Sequence, residues 1–319
     1  MKGEKSKTKA IQTNFRKIKV SKTKVTKAIL FINLKKKSAR KLANDIREEL
    51  AGLKISADTY QFSKKPSFNI GSKSEKPYDV AISLGGDGTV LSAARTMAPL
   101  NIPIFPVNLG TFGFIAEVPP LEWREVFYRW LNGKTVLSRR LMLELCVERR
   151  GKEFYRGCCL NDVVISSYGI AKIIDLKVSY SENNKSDFLK LGSYRSDGLI
   201  VSTPTGSTAH SVAAGGPIVD PELEALILNP ICPFTLSHRP MVLPAGETVL
   251  VEVEKSQRSG VILSVDGQVI VKLKGGDRVY LKKAPYHCLL ITSGRGGFYE
   301  ALRTKLSWAG GSEGGSPLD

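Results

Sequence analysis

The stretch "AISLGGDGTVLSAA" (Ala81–Ala94) sets three glycines, Gly85, Gly86 and Gly88, around one carboxylate, Asp87, directly after an apolar run. Strand, tight glycine turn and helix start together present free N–H groups and the positive end of a helix dipole, which is how a backbone cradles phosphate. Asp87 puts an anion in that turn, and two readings stand open. It caps the helix that begins near Thr89, or it acts on a group brought up beside the phosphates. The stretch is neither a G-x-x-x-x-G-K-[ST] loop, which occurs nowhere in the chain, nor a G-x-G-x-x-G dinucleotide turn.

Three further stretches carry chemistry-bearing residues. In "SDGLIVSTPTGSTAHSVAAGGPIVDP" (Ser196–Pro221) an apolar strand runs into Ser202, Thr203, Pro204, Thr205, Gly206, Ser207 and Thr208, then into a short helix of small residues. Five hydroxyls in seven residues exceed what capping requires and predict a polar surface that a ligand approaches closely. "VNLGTFGFIAE" (Val107–Glu117) brings two glycines, Asn108, Phe112 and Phe114 to a strand end; alone it reads equally as a turn with its aromatics in the core. Asn161–Asp162, opening a strand, reads alone as a turn.

These stretches need elements to hold them. Buried strands are expected at Ala28–Leu34, Asp79–Gly85 and Ile102–Gly110, with helices at Lys37–Leu50 and Thr89–Ala98 between them. The prolines of Ile102–Gly110 suit a strand end or edge better than a central position. Strand–helix alternation predicts an open, mostly parallel α/β sheet, whose ligands bind outside the carboxyl ends of the strands, where Gly85 and Asn108 fall. Leu121–Lys134 reads as an amphipathic helix closed by Gly133.

Beyond Leu137–Arg140 the pattern changes to short strands: Leu141–Glu148, Glu153–Leu160, Val163–Ser167, Ile173–Ser179, Leu199–Ser202, Thr248–Glu254, Val261–Val265, Gln268–Leu273 and Arg278–Leu281. Helical interruptions are expected at Ser207–Ala214 and Pro221–Leu228. The chain therefore divides into a basic tail (1–27), an α/β domain (28–138) and a β-rich domain (139–292). A C-terminal helix (293–308), with Tyr299, Leu302 and Leu306 on one face, is expected to return to the first domain, and 309–319 form a flexible tail.

Composition bounds the rest. A chain of 319 residues, 42% hydrophobic and 24% charged, is ordinary for a soluble globular protein. It carries no apolar run long enough to span a membrane and no N-terminal secretory pattern, so a cytoplasmic protein is expected. The five cysteines include an adjacent pair and no C-x-x-C spacing, and there are three histidines. That excludes a disulfide framework and gives no zinc motif. Of the net charge of +17, residues 1–27 hold ten Lys or Arg against Glu4 alone. Such a segment reads as a solvated tail or as a tether to RNA, polyphosphate or a membrane surface, and no nucleic-acid-binding motif accompanies it.

The order of "GGDGT" (Gly85–Thr89), "NLGTFGF" (Asn108–Phe114), "ND" (Asn161–Asp162) and "DGLIVSTPTGSTAHSVAAGGPIV" (Asp197–Val219) resembles the NAD kinases. So do "NPICPFTLSHRPMVLP" (Asn229–Pro244), "VDGQ" (Val265–Gln268) and "FYEALRTKLSW" (Phe298–Trp308). The resemblance covers Ala28 to Trp308. It implies two domains with NAD in the cleft between them, and transfer of a phosphoryl group from ATP or polyphosphate to the 2′-hydroxyl of the adenosine ribose, giving NADP. Asp87 is then the base or orienting group, directly or through Mg²⁺ or another divalent cation. Gly85, Gly86, Gly88 and Thr89 take the donor phosphates. Asp87, Gly88, Phe114, Asn161, Asp162, Asp197, Thr208, Ala209, His210, Ala213 and Gln268 hold NAD. The resemblance also implies a homodimer or homotetramer with no specific nucleic-acid or membrane partner.

Two positions depart from the family's pattern: His210 stands where Tyr is usual, and Phe112 where Leu is common. A lipid kinase of the diacylglycerol or sphingosine type shares the Gly-Gly-Asp-Gly-Thr stretch and would use the basic tail as a tether, but leaves Ser202–Pro217 less well explained. A non-catalytic dinucleotide sensor is the third alternative.

Overall fold

The structure is a computed structural model, which describes residues 18–19, 24–33, 37–61, 77–110, 113–169, 172–182, 187–235, 237–292 and 297–306. Nearly all of the basic tail, the 309–319 tail and Phe112 lie outside the described residues.

The N-terminal part comprises β1 (Ile18–Lys19), β2 (Lys27–Ile32), α1 (Lys37–Gly52), β3 (Ser56–Gln61), β4 (Val80–Gly85), α2 (Asp87–Met97), β5 (Ile104–Asn108) and α3 (Trp123–Leu131). Strands β3, β2, β4 and β5 lie side by side and parallel, with Gly85 opposite Asn108 at their carboxyl ends. α1 and α3 cover one face, where Ile46, Leu50, Phe127 and Trp130 are fully buried, and α2 covers the other. On α2, small residues (Ser92, Ala93, Ala94) let the backbone come close to the sheet. Val90, Leu91 and Met97 fill the remaining space, each contributing about 1.5–3 kcal/mol by burial. This packing fixes the helix start that bears Asp87.

The C-terminal part comprises β6 (Val136–Arg149), β7 (Lys152–Cys159), β8 (Asp162–Ser167), β9 (Ile174–Ser181), β10 (Leu189–Ser196), β11 (Gly198–Ser202) and α4 (His210–Ala213). It continues through β12 (Ala225–Ile231), β13 (Met241–Pro244), β14 (Thr248–Val253), β15 (Val261–Val265), β16 (Val269–Leu273), β17 (Arg278–Ile291) and α5 (Gly297–Leu306). An antiparallel sheet, β13-β12-β11-β8-β15-β16, packs its apolar face against β9, β14, β17, β6 and β7.

The two parts share one sheet. The 14-residue strands β6 and β17 pair with each other, and β17 also lies parallel to β5 through Leu290 and Ile104. Leu137 and Ile291 enter the core under α1 and α3, whereas Leu143 and Leu281 enter the core of the β-sandwich. Both strands run further than their sequence pattern suggests, because the register shift between Lys283 and His287 interrupts the alternation.

Other departures have physical causes. Pro106 sits in a central strand, but its carbonyl accepts from Val118 N, on the edge where β17 has already ended, so its missing N–H breaks no ladder bond. Pro221–Leu228 is not helical: a turn leads into β12, a continuous apolar run between β11 and β13, and such a short run is ambiguous by periodicity. The unanticipated strands β3, β10 and β13 are all sheet edges. β3 and β10 lack an apolar run, while β13 is a four-residue apolar stretch that is mostly exposed. A two-residue strand, β1, pairs with β6 inside the segment read as a tail. Along α5 the buried residues are Ala301 and Leu302, while Tyr299 and Leu306 are 68% and 38% exposed. α5 touches both parts, through Lys305 over the Phe114 ring (4.8 Å) and Tyr299 Oη donating to Asp220 (2.9 Å).

Among the described residues, no helix is long and apolar enough to cross a membrane. The cysteines are unpaired thiols, with Cys158, Cys159 and Cys288 buried. Burial pushes the Cys288 thiol up to about 12.

Candidate active site

The N-cap of α2 is Gly86, in extended backbone, and no side chain caps the helix. Asp87 is the first helical residue, and its carboxylate reaches across to the loop after β5. Its Oδ2 accepts from Phe114 N (3.0 Å), and its Oδ1 from Ile115 N (3.2 Å) and Ala116 N (2.9 Å). Three successive N–H groups form a backbone nest for an anion, and Asp87 is the anion in it. The capping reading therefore fails.

The nest requires Gly113: a Cβ there would stand 2.0 Å from Asp87 Oδ1. A carboxylate offers about four acceptor positions, so the loop fixes its orientation and leaves about one direction for an incoming hydroxyl or cation.

The neighbouring glycines divide by task. A Cβ on Gly85 would meet Thr89 Oγ1 at 2.0 Å, and both residues are buried, so this pair closes the turn from inside. A Cβ on Gly86 meets nothing within 4 Å, and Gly88 is exposed. Gly86 and Gly88 line the open side.

Across the cleft, the turn joining β15 to β16 carries Asp266 (φ 50°) and Gly267 (φ 65°), with Gln268 N donating to Val265 O. Two adjacent left-handed residues make a type I′ hairpin turn, which Asp-Gly favours. Gln268 Nε2 donates to Gly88 O (2.7 Å), while Arg95, two turns along α2, donates to Gln268 Oε1 and to Asp266 Oδ2 (2.8 Å). The Asp266 carboxylate is fully buried and the Arg95 side chain only 10% exposed. Asp266 also accepts from Asn161 N (2.8 Å), Leu160 N (3.3 Å) and Asp162 N (3.4 Å). Burial, only partly opposed by Arg95, holds the Asp266 carboxyl above the ordinary carboxylate range. This latch joins the Gly-Gly-Asp-Gly turn to Asn161–Asp162. Arg95 and Asp266 are absent from the sequence candidates; the Asp-Gly dipeptide marked the turn, but nothing in the sequence paired it with a helix 171 residues earlier.

The hydroxyl-rich stretch works differently from the expectation. Ser202 Oγ donates to Asn161 O and Thr203 Oγ1 to Leu160 O, while Ser207 Oγ exchanges bonds with Val219 N and O. A Cβ on Gly206 would lie 2.2 Å from Asn161 O. Ser202 and Thr203 thus tie the end of β11 to the Leu160–Asn161 turn and Ser207 ties the 3₁₀ turn Thr205–Thr208 to Val219, so these three hydroxyls are spent on backbone partners. The helix expected over Ser207–Ala214 is split at Ala209 (φ −98°, ψ −125°).

Thr208, Ala209, His210 and Ala213 remain on the rim. His210 Nδ1 lies 3.2 Å from both oxygens of buried Asp162, and a Cβ on Gly267 would stand 3.4 Å from His210 Cε1. Two polar atoms at this junction, Asn161 Oδ1 and Thr205 Oγ1, are buried without a hydrogen-bond partner. Such atoms call for a donor or acceptor from outside the fold.

Asp197 is not brought to this cluster within one chain. It turns β10 into β11 at the end opposite Ser202, five residues or about 16 Å along the strand.

The hydrogen bond to Asp162 raises the His210 pKa above its ordinary value of 6.5, against partial desolvation. A raised folded-state pKa contributes stability that is fully present below the unfolded value and lost as pH rises through the folded one. In an NMR titration of the three histidines, His210 is expected to titrate above 6.5, and Asp162→Asn to bring it down. No change in that variant would show that the pair does not form.

Among the described residues no three His, Cys, Asp or Glu side chains gather as a metal cage. Mg²⁺ needs none, since it is commonly held by one or two carboxylates together with substrate phosphates. The free direction on Asp87 fits that mode.

The chain matches the ATP-NAD kinase N-terminal domain over residues 4–135 and the ATP-NAD kinase C-terminal domain over 160–293. It is 41% identical over 289 residues to the NAD kinase of Treponema denticola, covering 90% of this chain and 98% of that one. A yeast NADH kinase solved with NADH shares the fold (TM-score 0.75, 20% identity, 90% and 89% coverage). An NAD kinase from Archaeoglobus fulgidus solved with ATP matches with a TM-score of 0.66 at 25% identity, covering 89% of this chain and all of that one. With these matches running through both halves of the site, the chain belongs to the NAD kinase family.

Proposed function

We propose that this chain is an NAD kinase in which Asp87 orients the 2′-hydroxyl of the adenosine ribose and receives its proton. In this reaction the ribose oxygen bonds to the terminal phosphorus of the donor, the bridging P–O bond breaks, and ADP leaves when ATP is the donor. The observation that carries the reading is the clasp on Asp87: three amide bonds fix the carboxylate and leave about one acceptor direction, beside an open glycine turn. A general base must be placed within hydrogen-bond reach of the proton it takes, and a fixed carboxylate meets that requirement better than a mobile one.

Gly86 and Gly88 take the donor phosphates, with Gly85 and Thr89 shaping the turn beneath them. Asn161, through its unpartnered Oδ1, and Asp162 hold the dinucleotide, with Thr208, Ala209, His210, Ala213, Gln268 and Phe114 around it. Mg²⁺, held by the donor phosphates, would neutralise charge on the transferring group. Polyphosphate is an alternative donor, and the reading places the protein in the cytoplasm. Asp197 belongs to the dinucleotide site only if a second copy presents it, which a homodimer or homotetramer would allow.

A donor-by-acceptor activity matrix tests the reaction: NADP must form from NAD, ATP and Mg²⁺, and its absence under every pairing would overturn the proposal. A sharper expectation concerns Gly86. Because a Cβ there meets nothing in the protein, Gly86→Ala folds as the parent does. It should raise the KM for the donor about tenfold while leaving that for NAD unchanged. An equal rise in both would remove Gly86 from the donor side.

A further inference from the structure

At the end of the β15–β16 hairpin remote from Asp266, the turns Arg150–Gly151 and Lys274–Asp277 and the start of the β14–β15 loop enclose a cleft of about 800 Å³. It lies about 17 Å of strand from Gln268, counting Gln268 to Leu273. Arg150, Lys152, Lys255 and Lys274 line it, all exposed and none in an ion pair among the described residues. Asp277 also lines the cleft, paired with Arg149 (2.7 Å), while Glu254, beside Lys255, pairs with Lys177 (2.7 Å) and Glu252 with Arg278 (2.8 Å). Arg149 is held on the floor by Asp277 and by the Phe154 ring, 4.3 Å from its Cζ, while the rim cations form no ion pair among the described residues.

The lining carries five cations against the one carboxylate of Asp277, and a polyanion turns the repulsion among them into attraction. The volume is that of a ligand pocket, but the charged lining suits a phosphate chain and not an apolar molecule. We propose that this cleft binds a phosphoanhydride chain, free as inorganic polyphosphate or carried by a nucleotide, at a site separate from the Asp87 cleft. The proposal does not rest on the NAD kinase reading.

The test titrates the full-length protein with tripolyphosphate and, separately, with ATP by calorimetry. A Lys152→Ala/Lys255→Ala/Lys274→Ala variant is compared with the corresponding triple Lys→Arg variant. The parent is expected to show a binding event that the alanine variant weakens at least about tenfold and the arginine variant keeps. Melting temperature and NADP formation at saturating substrates should be unchanged in both. In the component of binding that the alanine variant loses, equal affinities for the two ligands would identify the inorganic chain as sufficient, and tighter ATP binding would identify the nucleotide form. An unchanged titration in the alanine variant would overturn the proposal. So would binding of an RNA oligonucleotide at these lysines without binding of tripolyphosphate.

Discussion

Asp87→Asn is expected to lower turnover by at least about 100-fold, the scale on which a general base contributes, while NAD still binds. The reason lies in what the amide can and cannot do. Asn retains one oxygen acceptor, but its NH₂ group faces an N–H of the 114–116 nest and repels it, so the loop loses part of its clasp. The substitution also removes the group that would take the ribose proton. Gly113→Ala separates the two effects, because it keeps the carboxylate and obstructs its seat. If the clasp alone mattered, the two variants would lose activity alike. Near-parental turnover in Asp87→Asn would exclude a catalytic role for the carboxylate.

Arg95→Met is expected to destabilise the fold by about 3–5 kcal/mol, the range for removing one partner of a buried ion pair. Asp266 would keep three backbone N–H donors but lose its counter-charge in a fully buried position. Against a total stability of about 5–15 kcal/mol, such a loss is readily measured by urea unfolding. The pH dependence has a definite sign. Burial already raises the Asp266 pKa, and without Arg95 it rises further. Penalties on the charged form apply above the folded-state pKa and fade as the carboxyl protonates, so the variant's deficit shrinks as pH falls. Asp266→Asn in the Arg95→Met background should recover part of the loss. Gln268 would lose its partner too, and the KM for NAD should rise. A destabilisation below about 1 kcal/mol, the value of an exposed pair, would show that the latch does not hold the cleft.

β2, β4 and α2 were legible because each is a local pattern: a continuous apolar run, or small and apolar residues following a glycine turn. The edges β3 and β10 were not, because an edge strand takes its hydrogen bonds from one neighbour and these two carry no apolar run. β13 was not, because its four residues are too short for a period to show. β12 was misread because seven apolar-rich residues fit a helix turn as well as a buried strand until a partner exists. The hydroxyls of Ser202–Thr208 stand out in the sequence, but the backbone partners of Ser202, Thr203 and Ser207 leave no trace there. Whether a hydroxyl meets a ligand or a backbone carbonyl depends on what the fold places opposite it.

The family, the two kinds of architecture and the Gly-Gly-Asp-Gly turn are written in contiguous motifs, whose local geometry follows from residue type. The surroundings of Asp87 arise from long-range packing: the nest of Phe114, Ile115 and Ala116 amides, and the Arg95–Asp266–Gln268 latch. Hydrogen-bond partners separated by 27 to 173 residues leave no periodic trace along the chain. They exist only once β4 and β5 lie side by side and the β15–β16 turn has been carried to the side of α2.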